Sequence, residues 1–599
     1  MAAPYANAKP FADTIQITAS RIPAASSDTI SDTLTIGAEQ IAQSGAGNIV
    51  DLLQRQRGIE IARNGGAGTT SSVFIRGANG NQSIVLVDGV RIASSTTGTA
   101  NWSAIPLTAI DHIEIVYGPL STMYGADAIG GVIQIFTRKG DGAPALTAFA
   151  GYGSDNTRAA DIAISGSSGS EHPLRYALSA GKEQSDGYSA TRDGQFSYNP
   201  DRDGYDKQSV AAQVSLQLAA GHEIGALLVH SKMEAQYDNG VKIAYDTHNQ
   251  QQLQTTAVYT RNQILPNWSS LLQVAQARDE LGSYTNTSAD GISQLDTRQT
   301  SYSWQNDVRI GDDTLQLLYD RREEEVISSS TPVLNRSRST NAYAASYHAQ
   351  RGEHLIETSI RRDNSIYGAQ NTGAAGYAYR ITPALRASAS IGTSFRAPTY
   401  NELYYPGFGL PSNRPEHGRN RELGLRYDDG LTLLNASYYH NRLTDLLVTS
   451  TPCPGTGKSS CAYNVNHALL QGLTLSGSRK LGHFRLNASV DLQDPVDETT
   501  DKRLARRAQR HGSLALDYSA GALSGGVELQ ASGERFDDAA NKNRLGGYAL
   551  LNLYASWRFT QDWSALVRWN NVANKQYDLA RYYNTPGSKV FAGLRYGYK

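Results

Sequence analysis

The chain has 599 residues, with 55 basic and 56 acidic side chains and a net charge of -1, so no nucleic-acid partner is expected. No apolar run approaches the roughly 18 residues that a membrane-spanning helix requires, which excludes a helical membrane protein. The 56 glycines and 34 tyrosines, against only 11 phenylalanines and 3 methionines, favour many strands and turns over helices.

The first predicted element is the stretch "DTIQITA", from Asp13 to Ala19. Its apolar residues Ile15 and Ile17 alternate with polar residues, as in a strand. A single strand of this length is not stable by itself, so the pattern requires a partner strand. The alternative is a disordered tail whose residues alternate by chance.

Residues 23–140 predict a compact α+β unit. The segment "AEQIAQSGAGNIVDLLQRQRG" has Ile41, Ile49, Leu52 and Leu53 at helical spacings and closes with Gly58. Short buried strands follow in "SVFIRG", "SIVLVDGVRI" and "IDHIEIVYG". We therefore expect a mixed sheet with helices.

From residue 141 to the end, the sequence reads as long alternating strands. In "FRLNASVDLQ", the apolar residues from Phe484 to Leu492 occupy every second position, opposite a polar face. A strand of this kind needs only about 10 residues to cross a membrane as part of a barrel. A soluble sandwich or propeller is the alternative, but strands without a helical interval and aromatic residues near strand ends favour an all-β membrane barrel.

An acidic cluster is the strongest local signal for chemistry. In "NPDRDGYD", Asp201 and Asp203 lie two residues apart beside Gly204, so a sharp turn lets both carboxylates face one point, as hard cations with oxygen ligands require. For any single aspartate, a simple turn is the alternative. The candidate cation ligands, from this and neighbouring loops, are Asp186, Asp201, Asp203, Tyr237, Asp238 and Asp246.

The two cysteines, Cys453 and Cys461, lie close together in the loop sequence "TPCPGTGKSSC". They suggest one local disulfide in an oxidising compartment, and two free thiols are the alternative. Part of this loop imitates a phosphate-binding loop, but Pro452 stands where the first glycine belongs and no strand leads into a helix. No nucleophile elbow appears either, so no enzyme is expected.

Longer motifs along the chain resemble one known family. "FIRGANGNQSIVLVDGVRI" and "IDHIEIVYGPLSTMYGADAIGGVIQIFTR" look like its plug signature, "SFRAPTYNELY" with "RPEHGRNRELGLRY" looks like its mid-barrel signature, and "NNVANKQYDLARYYNTPG" looks like its last hairpin. Over nearly its whole length, the chain resembles the TonB-dependent outer-membrane receptors. Within that family it is similar to the members that transport cobalamin, vitamin B12.

The resemblance implies a 22-stranded antiparallel transmembrane barrel, residues 141–599, around a plug domain, residues 23–140. It also implies an N-terminal extension, residues 1–22, that carries a TonB box at residues 13–19. The missing partner strand would then come from the periplasmic domain of TonB, which an inner-membrane complex energises. A monomer among outer-membrane lipid is expected. The TonB box residues are Asp13, Thr14, Ile15, Gln16, Ile17, Thr18 and Ala19.

The implied ligand is cobalamin, bound where apical plug loops meet outer barrel loops that calcium orders. Flexible plug loops without a ligand role are the alternative. Two rival functions stay open: uptake of a siderophore or another metal chelate, and a non-transporting barrel used by phage or colicin. The predicted substrate-binding residues are Asn64, Thr70, Ser71, Ser72, Thr97, Gly98 and Tyr237.

Overall fold

In the computed structural model, the described residues are 16–17, 21, 24–25, 29–44, 46–169, 171–240 and 245–597. The predicted TonB box residues Asp13, Thr14, Ile15, Thr18 and Ala19 lie outside them.

The N-terminal part combines short strands with short helices, as predicted. The strands are β1 (Gln16–Ile17), β2 (Ala24–Ala25), β3 (Thr33–Gly37), β4 (Ile59–Arg63), β5 (Ser71–Ile75), β6 (Ser83–Val87), β7 (Val90–Arg91), β8 (Ile110–Tyr117) and β9 (Gly131–Thr137). The helices are α1 (Ala38–Ser44), α2 (Ile49–Gln54) and α3 (Ser121–Tyr124).

The plug, defined here as residues 29–137, is built on a mixed sheet of the order β3-β8-β9-β6-β7, in which β6 and β9 run parallel. Its core includes Ile49, Leu53 and Ile133, each fully buried. The single helical run expected before Gly58 is instead two helices, because the "SGAG" sequence favours a break and Asn48 caps α2 by accepting a hydrogen bond from the Asp51 amide.

The rest of the chain is a closed barrel. Its strands are β10 (Ala145–Gly153), β11 (Thr157–Ser167), β12 (Leu174–Tyr188), β13 (Asp203–Ala219), β14 (His222–Gln236), β15 (His248–Leu265), β16 (Trp268–Tyr284), β17 (Ile292–Ile310), β18 (Asp313–Ser328), β19 (Arg336–Arg351), β20 (His354–Ser365), β21 (Gly368–Arg380), β22 (Leu385–Arg396), β23 (Glu416–Asp428), β24 (Thr432–Ser450), β25 (Cys461–Leu481), β26 (Phe484–Asp497), β28 (Arg510–Ala520), β29 (Leu523–Ser532), β32 (Tyr548–Arg558), β33 (Trp563–Asn570) and β34 (Lys589–Tyr596). Loops add β27 (Lys502–Arg503), β30 (Arg535–Phe536), β31 (Arg544–Leu545) and α4 (Tyr400–Tyr404).

Among the described residues, 22 long antiparallel strands form the wall, which closes where β10 pairs with β34. The alternation predicted for residues 484–493 is confirmed: Val490 on β26 is 48% exposed on the outer face, whereas its neighbour Asp491 is 2% exposed toward the lumen. The predicted barrel fold with an N-terminal plug is therefore confirmed. The predicted bounds at 22 and 140 stay a prediction.

The two ends of the barrel differ in their connections. At one end, strands join through tight turns such as residues 266–267, 311–312 and 482–483. At the other end lie long loops such as residues 189–202, 397–415 and 533–547. We call these the tight-turn end and the long-loop end. No helix in the described part of the chain is long and apolar enough to span a bilayer.

Candidate ligand and cation site at the long-loop end

Three of the predicted calcium ligands lie together at the long-loop end. Asp203 begins β13, Asp201 precedes it in the loop, and Asp238 follows β14. One carboxylate oxygen from each lies within 4.8 Å of the other two. Asp201 is exposed, while Asp203 and Asp238 are buried, so the group opens to solvent on one side.

Backbone groups of the loop after β12 position the two buried carboxylates. The Ala190 amide donates to Asp203 Oδ2 at 2.5 Å, and the Thr191 amide donates to Asp238 Oδ2 at 2.8 Å. The other oxygen, Asp238 Oδ1, is buried and has no hydrogen-bond partner among the described residues. A buried carboxylate oxygen left unpaired is costly, so this atom is suited to an external cation.

The charges within the group act on one another. Burial raises the pKa of Asp201 above its ordinary value, and the negative charges of Asp238 and Asp246 raise it further. Carboxylates this close together repel one another, and a bound cation would offset that repulsion.

The other predicted ligands occupy different positions. Asp246 is close enough for its charge to affect Asp201, and its carboxylate accepts a hydrogen bond from Gln236. Tyr237 lies beside the group in sequence, and its amide donates to Thr247 O at 3.1 Å. Asp186 is not a member of the three-carboxylate group within the described ranges. Its Oδ1 instead accepts from Asn156 Nδ2 at 3.4 Å.

The first apical plug loop packs directly against this group. A Cβ placed on Gly65 would lie 2.6 Å from Ala190 Cβ, so only glycine permits the approach, and Gly65 has a φ of +107°. The Tyr188 hydroxyl donates to Gly65 O at 3.3 Å. This plug loop and the loop that holds the carboxylates are therefore in direct contact.

Six of the seven predicted substrate residues belong to two loops at the same end of the plug or to the adjoining start of β5. Thr70, at the base of the first loop, and Thr97, in the second loop, are exposed. Gly98, with a φ of +76°, makes a tight turn whose amide donates to Ser94 O at 2.7 Å. The remaining three are less accessible: Asn64 and Ser72 are half-buried and Ser71 is buried. Thr70 and Thr97 thus offer exposed hydroxyl groups at the end of the plug that faces the long loops.

Sequence reasoning missed Asn584, which holds the loop that positions the carboxylates. Asn584, in the loop between β33 and β34, donates through Nδ2 to both Ser189 O and Thr191 O at 2.9 Å. Its amide also donates to Ala190 O at 2.9 Å. The sequence around it, "NNVANKQYDLARYYNTPG", was identified only as a hairpin motif, and nothing in its pattern points to the aspartates.

The N-terminal segment is attached to the wall near the tight-turn end of the plug. β1 pairs with β2, which places Gln16 opposite Ala25 and Ile17 opposite Ala24. The guanidinium of Arg21 lies 3.4 Å from both carboxylate oxygens of Asp320 on β18, and Gln305 on β17 donates to Arg21 O at 3.1 Å. These contacts hold the chain that follows the predicted TonB box.

An ion-pair cluster joins the plug to the barrel wall. Arg57 and Arg76 both bind Asp32, with nitrogen–oxygen distances of 2.6 Å and 2.5 Å, and Arg76 Nη1 lies 3.0 Å from Glu422 on β23. Burial alone would raise the pKa of Asp32, but the charges of the two arginines hold it below its ordinary value. Nearby, the Gly58 amide donates to Asp491 Oδ2 at 2.9 Å.

A cavity of about 720 Å³ separates another side of the plug from the wall. Plug residues Asp88, His112 and Tyr124 line it on one side, and Tyr259 and Gln273 of the wall line it on the other.

The two cysteines form a disulfide in the loop between β24 and β25, with their Cα atoms 5.3 Å apart. The same loop contacts residues 397–415, because Lys458 Nζ donates to Gly409 O at 3.1 Å. Residues 452–460 thus belong to a long loop and do not lead from a strand into a helix.

Comparison with known proteins identifies the family. The family description "TonB dependent receptor-like, beta-barrel" matches residues 141–572, and "TonB-dependent Receptor Plug Domain" matches residues 25–132. The chain is 29% identical to the vitamin B12 transporter BtuB of Photobacterium profundum over 98% of this chain and 95% of that protein. It is 28% identical to the vitamin B12 transporter BtuB of Vibrio cholerae, covering 99% and 97%.

Solved structures share the fold. A mutant form of the ferric enterobactin receptor PfeA of Pseudomonas aeruginosa has a TM-score of 0.81 at 16% identity over 94% of this chain and 98% of that one. The siderophore receptor PirA of Acinetobacter baumannii has a TM-score of 0.80 at 17% identity, also covering 94% and 98%. The chain therefore belongs to the TonB-dependent receptors, plugged β-barrels of the bacterial outer membrane.

Proposed function

We propose that this receptor takes up cobalamin across the outer membrane with energy supplied through TonB, and that calcium orders the loops that receive the ligand. The named relatives that span nearly the whole chain are vitamin B12 transporters, which supports the choice of cobalamin. The observation that carries the proposal is the carboxylate group of Asp201, Asp203 and Asp238 against the apex of the plug.

These residues fit calcium by their chemistry. Calcium binds six to eight oxygen ligands, and three carboxylates with one unpaired buried oxygen, Asp238 Oδ1, supply a negatively charged oxygen cluster. We propose Asp201, Asp203 and Asp238 as the ligands, with Asp246 and Tyr237 adjoining. When bound, the cation would offset the repulsion among the carboxylates. The loop after β12 would then hold the Gly65 loop in place.

Cobalamin would bind above the two apical plug loops. Exposed hydroxyls at Thr70 and Thr97, together with the Gly98 turn, provide small polar groups that suit a large ligand with a polar rim. Asn64, Ser71, Ser72 and Tyr237 complete the proposed binding set.

TonB would engage the N-terminal segment. We propose residues 1–22 as the extension, 23–140 as the plug domain and 141–599 as the barrel, with residues 13–19 as the TonB box. Gln16 and Ile17 already form a strand, which is the conformation that pairing with an edge strand of a partner requires. The outer membrane holds no proton gradient, so an inner-membrane partner must supply the energy.

Equilibrium binding of cyanocobalamin to the detergent-solubilised receptor, with calcium and with a chelator, tests this proposal. We expect tight binding that the chelator weakens. In Asp238→Asn, which keeps the shape and removes the charge, calcium affinity falls at least about tenfold. Asp186→Asn is the matched control, because Asp186 lies outside the carboxylate group, and it retains calcium affinity.

The pH dependence gives a second readout of the same site. Because the pKa of Asp201 is raised, this carboxyl retains its proton to a higher pH than an ordinary aspartate, and protons compete with calcium. Calcium affinity therefore weakens in acid, beginning at a higher pH than for a site of ordinary aspartates. In Asp201→Asn this dependence becomes flatter; an unchanged pH profile in that variant contradicts the assignment of Asp201.

A ferric chelate is the second candidate ligand. Absence of cyanocobalamin binding by the folded receptor in both conditions rejects cobalamin, and ferric siderophores are then tested by the same method. Deletion of residues 13–19 distinguishes a transporter from a non-transporting phage or colicin receptor. We expect uptake to be abolished and equilibrium binding to persist, because none of the proposed cobalamin-binding residues belongs to the deleted segment.

A further inference from the structure

The outer face of β23 carries two arginines directly above apolar residues. Along this strand the residues with even numbers point inward, and Glu422 reaches the plug residue Arg76 at 3.0 Å. Arg419, Arg421 and Leu423 alternate with them and are exposed on the outer face. The two arginine Cα atoms lie about 7 Å apart, since successive outward positions of a strand are separated by two residues.

The neighbouring strand β24 carries two further basic side chains. On β24, His440 lies opposite Arg421 and Arg442 lies opposite Arg419. Arg442 is bonded to Glu498 Oε2 at 2.9 Å. By contrast, the side chains of Arg419 and Arg421 form no hydrogen bond or ion pair with any residue in the described ranges. Arg419 and Arg421 thus have no carboxylate partner within the described ranges, and an external anion would supply one.

In another sector of the barrel, outward-facing arginines are paired with carboxylates of the protein. Arg298 on β17 lies 3.1 Å from Glu325 on β18, and Arg321 on β18 lies 2.8 Å from Glu323. These two arginines also belong to the outward-facing rows of their strands, which include the exposed Trp304 and Leu317. In that sector the protein supplies its own carboxylates, whereas on β23 it does not.

The position of the unpaired arginines matches one level of the membrane. Toward the tight-turn end, the outer face continues into an apolar surface at Leu423, Leu425 and Tyr438, which are 60%, 48% and 44% exposed, and Ile391, 62% exposed, lies opposite Arg421 on β22. Toward the long-loop end lie the outer loops. Short turns face the periplasm in barrels of this kind and long loops face outward, so the arginines lie at the headgroup level of the outer leaflet.

We propose that Arg419, Arg421 and His440 form a binding site for a phosphorylated lipid of the outer leaflet. The two guanidinium groups would bind phosphate oxygens, for which planar paired donors are well matched. The acyl chains would pack on Ile391 beside Arg421 and on Leu423 and Tyr438 below. The site lies on the outer wall, so it does not depend on which ligand the receptor transports.

Binding of bisphosphorylated lipid A to the purified full-length receptor tests the proposal, with native mass spectrometry used to count the bound lipid. The double variant Arg419→Ala/Arg421→Ala is expected to bind about 30-fold more weakly, from roughly one basic residue's contribution each. The double variant Arg298→Ala/Arg321→Ala is the matched control, because it removes the same charge from the same face, and it retains binding. Heat-modified migration on a gel checks that both variants are folded barrels.

The lipid itself is varied in the second arm. Chemically dephosphorylated lipid A is expected to lose affinity for the unmodified receptor to the level of the double variant. Equal binding of the dephosphorylated lipid, or an equal loss in the control variant, overturns the phosphate site. Equal affinity for phosphatidylglycerol also overturns the proposal, because the surface then attracts any anionic lipid and does not select the outer-leaflet one.

Discussion

The plug meets the barrel wall in two different ways. Toward β23–β28 it is bonded closely: Arg76 reaches Glu422 at 3.0 Å, and the Ala508 amide donates to Glu60 Oε1 at 2.9 Å. Toward strands such as β15–β18, a cavity of about 720 Å³ lies between plug and wall. Beside the cavity, Gln273 Nε2 donates to Asp88 O at 3.4 Å, and direct bonds elsewhere on these strands include Gln299 Nε2 to Ala93 O at 2.6 Å. We call these the bonded side and the open side.

This difference in contacts indicates which side of the plug is held more weakly to the wall. Buried ion pairs are costly to break one partner at a time, whereas a single long hydrogen bond beside a cavity contributes little. A pull on the N-terminus therefore meets less resistance on the open side, where Arg21 is also attached. We therefore expect the bonded side to be the last to separate from the wall.

Removal of the Asp32 charge breaks the bonded side. In Asp32→Asn, Arg57 and Arg76 lose their shared carboxylate, and the free energy of unfolding of the plug falls by about 3 kcal/mol, as for other broken buried pairs. Denaturant titration followed by protease cleavage within the plug measures this. The pair itself survives mild acid, because the pKa of Asp32 lies below the ordinary value of 3.8 and the stabilisation is lost only as the pH falls below that value.

A smaller effect is expected where the N-terminal segment joins the open side. In Arg21→Ala, Asp320 keeps its second partner, Arg361, at 3.0 Å, so no buried charge is left alone. The segment is released at a cost of about 1 kcal/mol, as for a weakly bonded, partly exposed pair. A spin label at residue 17 would become more mobile in the variant without ligand. A label that stays as immobile as in the unmodified receptor contradicts the role of Arg21.

The smallest effect on the free energy of unfolding is expected from a substitution on the open side. Gln273→Ala removes one long hydrogen bond across the cavity and should change the free energy of unfolding of the plug by less than about 1 kcal/mol. The same denaturant titration measures it. A loss as large as that of Asp32→Asn would mean that the two sides hold the plug equally and that the comparison fails.

The strand pattern of the barrel was predictable because each wall strand meets lipid on one face. Phe484 and Val490 are exposed on that face of β26, and Gln493 is buried on the other, as the alternation requires. The helical segment before Gly58 was less predictable, since helical spacing continues across the "SGAG" interruption. Apolar periodicity reports a buried face and gives no sign of where a short helix ends.

The carboxylate group was predictable in part. Asp201 and Asp203 are close in sequence, and the loop that bears Asp238 follows the next strand, so topology brings them together. Asp186 was included on its residue type, but its carboxylate accepts a hydrogen bond from Asn156. Two contacts could not be predicted from the sequence. The Ala190 amide is a backbone group, which any residue except proline provides, and the pair formed by Arg21 and Asp320 joins residues 299 positions apart.

Asn584 has a consequence for how the receptor is assembled. It holds Ser189 O from 395 positions farther along the chain, in the loop just before the strand that closes the barrel against β10. During synthesis the aspartates emerge early, and their support emerges almost last. The carboxylate group therefore reaches its final shape only when the seam has closed, so its structure reports that the wall is complete.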